Sequence, residues 1–126
     1  MKKLLIIDDD ADIRDSLVAI LEQKYEIKEA ESSAAGFKML ESYKPDCILL
    51  DVMMESTSSG FEMARELKNA PQYKDIKVLM LTSVDHVMKI NFKASAGDPD
   101  WLPVDDYVEK PVKPKEILDK LEKLVG

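Results

Sequence analysis

Five polar side chains of this 126-residue chain stand at or just after the ends of short apolar runs. They are Asp8, Asp9, Asp51, Thr82 and Lys110. Ligands of open α/β sheets bind at the carboxyl ends of the strands, so side chains at these positions are candidates for a shared site. Three carboxylates, a hydroxyl and an ammonium group can together hold a divalent metal ion and a phosphoryl group.

The three carboxylates repel one another at short range, so at least one resists ionisation unless a cation neutralises the group. Mg²⁺ is the expected cation, because it prefers oxygen ligands, keeps several waters and often bridges to phosphate. Asp51 can then attack a phosphoryl donor as a nucleophile and form an aspartyl phosphate. Lys110 would pair with a phosphoryl oxygen, and Thr82 would donate a hydrogen bond to it. No histidine base is required, and the only histidine is His86.

Apolar runs alternate with segments of helical periodicity, a pattern typical of repeated strand–helix units and a parallel sheet. The runs predict five strands, at Lys3–Ile7, Glu26–Ala30, Cys47–Leu50, Lys77–Leu81 and Asp106–Glu109. Helices are predicted at Ala11–Gln23, from Ser32 or Ser33 to Ser42, at Gly60–Asn69, and in a last segment with Pro114 in its first turn. The third strand is apolar throughout, which predicts a central position buried on both faces.

Five such units predict an α/β fold with a doubly wound, five-stranded parallel sheet. Right-handed crossovers with helices on both faces favour the strand order 2-1-3-4-5. The first and third strands are neighbours in that order. Asp8, Asp9 and Asp51 should therefore meet at the point where the strand order reverses.

Local signals support the first two helices. Asp10 and Asp12 stand at the start of the first helix, where a carboxylate can cap backbone amides and interact favourably with the helix dipole. Gly36 weakens the second helix by roughly 1 kcal/mol relative to alanine. Close packing of that helix on the sheet would explain a glycine there.

The composition is that of one soluble globular domain covering residues 1–126, with 45% hydrophobic and 34% charged residues. A net charge of −7 disfavours direct binding to nucleic acid or to an anionic membrane surface. Cys47 is the only cysteine, so an internal disulfide is excluded. The first apolar run, Leu4–Ile7, is too short for a signal peptide or a membrane span. A cytoplasmic protein is therefore expected.

Four segments of the chain carry a resemblance to a known family. They are Ile6–Asp10, Leu50–Met54, Leu81–Ser83 and Tyr107–Pro111. In this order and at these spacings they resemble the receiver domain of bacterial two-component response regulators, in its single-domain form. The resemblance covers essentially the whole chain and implies a flavodoxin-like fold, whose strand order is the one favoured above.

The resemblance implies that Asp51 accepts a phosphoryl group from a histidine kinase or a histidine phosphotransfer protein. It also implies that Mg²⁺ binds directly to Asp9, to Asp51 and to the backbone carbonyl of Met53, while Asp8 acts largely through water. A receiver of this kind is a signalling domain that assists its own phosphorylation and dephosphorylation, and is not otherwise an enzyme. The downstream protein is not specified.

The family further implies a switch, in which Thr82 shifts toward the phosphoryl group and Tyr107 rotates inward behind it. This movement would reshape the face made by the family's fourth helix, fifth strand and last helix. The chain departs from the family in two places. Glu55–Ser59 forms a slightly longer loop without the usual proline, and Phe92–Pro103 is an atypical segment where the family keeps its fourth helix.

Two other functions remain open at this point. A Mg²⁺-dependent phosphohydrolase would use Asp8 as its nucleophile within the sequence Asp8-Asp9-Asp10, but it needs a substrate pocket for which the chain is short. A pseudo-receiver that serves only as a scaffold would show no metal-dependent labelling. For the favoured receiver, output passes either through contact with another protein or through a phosphorelay.

Overall fold

The computed structural model describes residues 1–51, 57–83, 105–110 and 112–125, without the side chains of 57–61 and 83. The strands are β1 (Lys2–Ile7), β2 (Tyr25–Ala30), β3 (Cys47–Asp51), β4 (Lys77–Ser83) and β5 (Asp106–Lys110). The helices of the described residues are α1 (Ala11–Leu21), α2 (Ser33–Leu40), α3 (Thr57–Asn69) and the C-terminal α4 (Pro114–Val125).

All neighbouring strands are parallel, and their order is β2-β1-β3-β4-β5. The predicted fold class and strand order are therefore confirmed. β3 lies at the centre of the sheet, and its apolar residues are fully buried, as expected for a strand covered on both faces. Its register pairs Ile7 of β1 with Leu50, so the next residues, Asp8 and Asp51, lie side by side at the strand ends.

Hydrophobic cores lie on both faces of the sheet. One is formed between the sheet and α2 and α3, through Leu40, Met63, Ala64 and Leu67 of the helices. The other lies between the sheet and α1 and α4, through Leu17, Leu21, Ile117 and Leu121. The sheet is thus held rigidly from both sides, which fixes the positions of side chains at its edge.

The start of α1 agrees with the predicted capping. The Asp10 side chain accepts hydrogen bonds from the backbone N–H groups of Asp12, at 2.9 Å, and Ile13, at 3.4 Å. The carboxylate satisfies amides that have no partner within the helix and adds negative charge where the helix dipole is positive. This cap fixes where the chain turns from β1 into α1.

Two element boundaries differ from the prediction in ways that affect the site. α3 begins at Thr57, not at Gly60. Its buried face stabilises helical residues of modest propensity at its start. β4 continues past Leu81 to Ser83, because Thr82 and Ser83 pair with β5. Thr82 therefore lies inside a strand, and pairing with β5 restricts its backbone.

Gly36 provides a testable measure of how closely α2 packs on the sheet. A Cβ atom at this position would lie 2.6 Å from Ile7 Cδ1 and 3.0 Å from Met63 Cε. We expect Gly36→Ala to lower the free energy of unfolding by about 1–2 kcal/mol, because overpacking costs more than the gain of about 1 kcal/mol in helix propensity. Urea unfolding monitored by circular dichroism measures the change.

Two companion variants separate propensity from packing. Ala34→Gly, at an exposed position of the same helix, reports propensity alone and should cost about 1 kcal/mol. Ile7→Val removes the atom closest to the new methyl group, so it should cost less in the Gly36→Ala background than in the wild type. Stabilisation by Gly36→Ala alone would contradict the expected steric conflict.

Candidate functional site

The ends of β1 and β3 bring three carboxylates together. One oxygen each from Asp8, Asp9 and Asp51 can be chosen so that all lie within 4.8 Å of one another. Asp8 and Asp51 are buried, and Asp9 is exposed. The structure thus brings these three predicted site residues into one cluster with one face open to solvent. An all-oxygen set of three carboxylates at this spacing fits a hard divalent cation such as Mg²⁺.

Asp8, one of the two buried acids of this cluster, has a pKa raised from 3.8 to about 6. Burial is the largest cause and the neighbouring Asp51 adds to the rise, whereas the backbone N–H of Asp10 and the Lys110 ammonium act against it. The Asp10 N–H donates to Asp8 Oδ1 at 2.9 Å. When protonated, Asp8 can donate a hydrogen bond to Asp51. A bound cation would remove the need for that proton by neutralising the cluster.

Lys110, the last residue of β5, reaches the same cluster. Its Nζ lies 3.1 Å from Asp51 Oδ1 and 3.5 Å from Asp8 Oδ2. The Lys110 side chain is 21% exposed, so it is partly desolvated and the attraction of its ammonium to the acids is only partly screened. The structure therefore places this lysine beside the acids, as the sequence predicts. Its charge offsets one of the acidic charges and faces the carboxylate predicted to react.

Thr82 is fully buried on the strand next to Asp51. Within the part of the chain that the structure describes, its Oγ1 has no hydrogen-bond partner. A buried hydroxyl without a partner is costly, and such groups in native structures call for an explanation. This hydroxyl lies one residue before the end of β4, on the strand next to Asp51, and can donate to a ligand bound at the acidic cluster.

Tyr107 lies in β5 next to Thr82. In the register it pairs with Met80, two residues before Thr82, so Tyr107 and Thr82 project from the same face of neighbouring strands. The ring is half-buried, packs against the core under α2 and α3, and has Lys120 Nζ 5.1 Å from its centroid. The two residues predicted to form a switch are thus neighbours.

Some predicted features lie outside the described residues. These are the backbone carbonyl of Met53, the segment Phe92–Pro103 and the start of the loop Glu55–Ser59. From Thr57 onward, the residues predicted as loop belong to α3.

One site contact has no signal in the sequence pattern. Arg14 of α1 donates from Nη1 to the backbone carbonyl oxygen of Asp8 at 2.6 Å. No spacing rule singles out this arginine, because its acceptor is a main-chain atom. A hint in the sequence is that Arg14 is a cation near the start of a predicted helix, where the dipole disfavours positive charge, so another contact is needed to explain it.

The described fold and site define an open α/β protein with a carboxylate, lysine and threonine cluster at the switch point of its parallel sheet. The chain belongs to the response regulator receiver domain family, which it matches over residues 4–122. Members are signalling domains of two-component systems, and phosphorylation on aspartate is typical of them. Receiver domains generally bind Mg²⁺ and are phosphorylated by histidine kinases.

Curated relatives support this assignment. The chain is 37% identical over 122 residues to the phosphate regulon transcriptional regulatory protein PhoB of Pseudomonas aeruginosa. It is 32% identical over 124 residues to the response regulator MprA of Mycobacterium ulcerans. These alignments cover 96% and 98% of this chain but 50% of each relative. The chain therefore spans about half the length of the curated relatives it matches.

Solved structures give the same result. The chemotaxis response regulator CheY4 of Vibrio cholerae aligns with a TM-score of 0.81 and 27% identity over 99% of both chains. A putative response regulator from Chloroflexus aurantiacus aligns with a TM-score of 0.83 and 25% identity, covering 98% of this chain and 96% of that one.

Among the residues described above, no helix is long and apolar enough to cross a bilayer.

Proposed function

We propose that residues 1–126 form a receiver domain that accepts a phosphoryl group on Asp51. The observation that carries the proposal is the position of Asp51, whose carboxylate lies beside two further acids and 3.1 Å from the Lys110 ammonium. This is the environment that phosphoryl transfer requires, because catalysis there consists mainly of positioning and charge stabilisation. Attack by an Asp51 oxygen on phosphohistidine forms a P–O bond and breaks the P–N bond to the imidazole.

The neighbouring side chains have complementary roles in this proposal. Lys110 pairs with an oxygen of the incoming phosphoryl group while remaining close to Asp51. Thr82 donates its free hydroxyl to another oxygen, which gives this buried group the partner it lacks within the described residues. Because Tyr107 projects beside Thr82, a shift of Thr82 opens space for the ring to turn inward. The phosphoryl contacts thereby bias a two-state equilibrium.

Asp8, Asp9 and Asp51 are the residues that would hold Mg²⁺, together with the Met53 carbonyl that the family resemblance implies. When bound, Mg²⁺ would neutralise the carboxylates and the developing phosphoryl charge. Asp9 is the exposed member of the cluster, whereas Asp8 is fully buried. A direct role for Asp9 and an indirect one for Asp8 are consistent with this difference in exposure.

A histidine kinase or histidine phosphotransfer protein is the proposed donor. The downstream partner is proposed to be a protein, reached by contact or through a phosphorelay. The net charge of −7 supports a chain that does not itself bind nucleic acid. A stand-alone arrangement and a cytoplasmic location stay predictions.

The test is labelling of the purified chain with a small acyl phosphate in the presence of Mg²⁺. We expect intact-mass spectrometry to show one added phosphoryl group, which hydroxylamine removes because an aspartyl phosphate is a mixed anhydride. Chelation of Mg²⁺ should suppress labelling. A scaffold without chemistry would acquire no label. Sustained turnover of a phosphate monoester, with Asp8 carrying any label, would instead support the phosphohydrolase.

A further inference from the structure

Arg14 joins three elements beside the acidic site. Its Nη1 donates to the Asp8 carbonyl oxygen at the end of β1, at 2.6 Å. Its Nε lies 3.4 Å from Glu29 Oε1 on β2. The side chain is only 18% exposed, so packing restricts the guanidinium. A short, charge-assisted hydrogen bond from a rigid planar donor fixes its acceptor more firmly than a neutral bond does.

The dipole of α1 disfavours a cation at the position of Arg14. Arg14 is the fourth residue of an 11-residue helix, close to the positive end of the helix dipole. Helical side chains lean toward the N-terminus, which directs this one back toward the end of β1. The contact with Asp8 therefore gives a physical reason for a cation at a position where the helix itself disfavours one.

The acceptor belongs to the peptide unit that links Asp8 to Asp9. A peptide is planar, so holding its oxygen sets the plane from which both acidic residues depart. Other atoms of Asp8 are also held, because its N–H donates to the Ala30 carbonyl at 3.1 Å and its Oδ1 accepts from Asp10 at 2.9 Å. The hydrogen bond from Arg14 additionally fixes the orientation of the Asp8–Asp9 peptide, which leads to the exposed Asp9.

We infer that Arg14 is a positioning residue for the divalent-cation site formed by Asp8, Asp9 and Asp51. It acts through the Asp8–Asp9 peptide and not by touching the metal ion. The inference rests on the proposed function, since it needs Mg²⁺ to bind at these acids. Residues that orient metal ligands from outside typically change metal affinity by about 10–100-fold when they are replaced.

The sign of the effect distinguishes positioning from simple electrostatics. Removal of a positive charge close to a cation site strengthens Mg²⁺ binding if charge alone matters. Loss of the hydrogen bond to the Asp8 carbonyl weakens binding if geometry matters. Arg14→Gln removes the charge and the guanidinium fork together, so the two effects have opposite signs in one variant.

The decisive experiment measures the Mg²⁺ dissociation constant of the full chain by isothermal titration calorimetry. We expect Arg14→Gln to bind Mg²⁺ about 10-fold more weakly than the wild type. In labelling by an acyl phosphate, the half-saturating Mg²⁺ concentration should rise by a similar factor. The maximal rate at saturating Mg²⁺ should stay within about twofold of the wild type, because Arg14 does not contact the reacting atoms.

Two variants serve as controls. Arg65→Gln makes the same change at the other arginine of the chain, which is exposed on α3, and should leave Mg²⁺ affinity unchanged. Glu29→Gln removes the partner at the far end of Arg14 but leaves the bond to Asp8. Its effect should stay within about threefold, because a partly exposed ion pair contributes little.

The outcomes are separable. Unchanged or tighter Mg²⁺ binding by folded Arg14→Gln overturns this inference and leaves the proposed function standing. Failure of the wild type to bind Mg²⁺ rejects the proposed function itself. Urea unfolding of each metal-free variant establishes whether it folds. If Arg14→Gln does not fold, Arg14→Lys is measured in its place. We expect Arg14→Lys to bind Mg²⁺ more weakly than the wild type, because a single ammonium replaces the guanidinium fork. Wild-type affinity of this variant would overturn the inference.

Discussion

Replacement of Asp51 by Asn is expected to reduce phosphoryl labelling by roughly 10³-fold or more. The amide has nearly the same shape as the carboxylate, and its oxygen can still accept the hydrogen bond from Lys110. It is not a competent nucleophile, so only the reactive group is removed. Labelling by an acyl phosphate with Mg²⁺, followed by intact-mass spectrometry, measures the loss.

Asp15→Asn is the matched control for this prediction. It makes the same chemical change at an exposed position of α1 and should leave labelling unchanged within about twofold. Circular dichroism of both variants checks that they fold. Labelling of Asp51→Asn at the rate of the wild type would show that the nucleophile is another residue. Mapping of the label would then distinguish Asp8 from Asp9.

Replacement of Asp8 by Asn should stabilise the metal-free protein at pH 7 and weaken its response to Mg²⁺. The pKa of Asp8 is raised to about 6 by burial, against an ordinary value of 3.8. Between these two values the folded state binds more protons than the unfolded state, so the Asp8 contribution to stability falls as pH rises. The whole penalty is present above pH 6 and absent below about pH 4, and its upper limit is about 3 kcal/mol.

The measurement is the difference between wild type and Asp8→Asn in the free energy of unfolding across this pH range, which cancels the titration of other carboxylates. We expect the variant to be more stable by roughly 1–3 kcal/mol at pH 7 and nearly equal at pH 4. Wild type should gain about 2.7 kcal/mol from Mg²⁺ at 100 times its dissociation constant, and the variant should lose most of that gain. Asp75→Asn, at an exposed position between α3 and β4, is the matched control.

Two results would contradict this account of Asp8. A variant that is less stable than the wild type at pH 7 would mean that the ionised carboxylate is stabilised by its partners Lys110 and Asp10, and not penalised by burial. An undiminished stabilisation by Mg²⁺ would mean that Asp8 contributes nothing to the cation site. The expected pair of effects, opposite in sign, is characteristic of a functional group held at a cost in stability.

The sheet and the acidic cluster were predictable because both depend on local patterns that combine in few ways. Fully apolar runs such as that of β3 indicate strands buried on both faces, and alternation with helical periodicity indicates parallel pairing. Right-handed crossovers then leave one favoured strand order. Once that order places β1 beside β3, the sequence alone predicts that Asp8 and Asp51 are neighbours.

Other properties depend on distances between residues far apart in the chain. The close approach of Gly36 to Ile7 is set by how deeply α2 packs, which periodicity does not report. The end of β4 at Ser83 depends on pairing with β5, a contact made after a long intervening segment. Local propensity carries no information about either, because tertiary packing decides them.

The sequence by itself determined the class of fold, the edge of the sheet at which the acidic cluster lies, and the identity of the acids, hydroxyl and lysine there. Only the tertiary structure decided three other features. These are the burial that raises the pKa of Asp8, the lack of a hydrogen-bond partner for the Thr82 hydroxyl within the described residues, and the hydrogen bond from Arg14 to the Asp8 carbonyl oxygen. The physical reason is that side-chain types and spacing follow from the chain, whereas desolvation and main-chain contacts arise only when separate elements pack together.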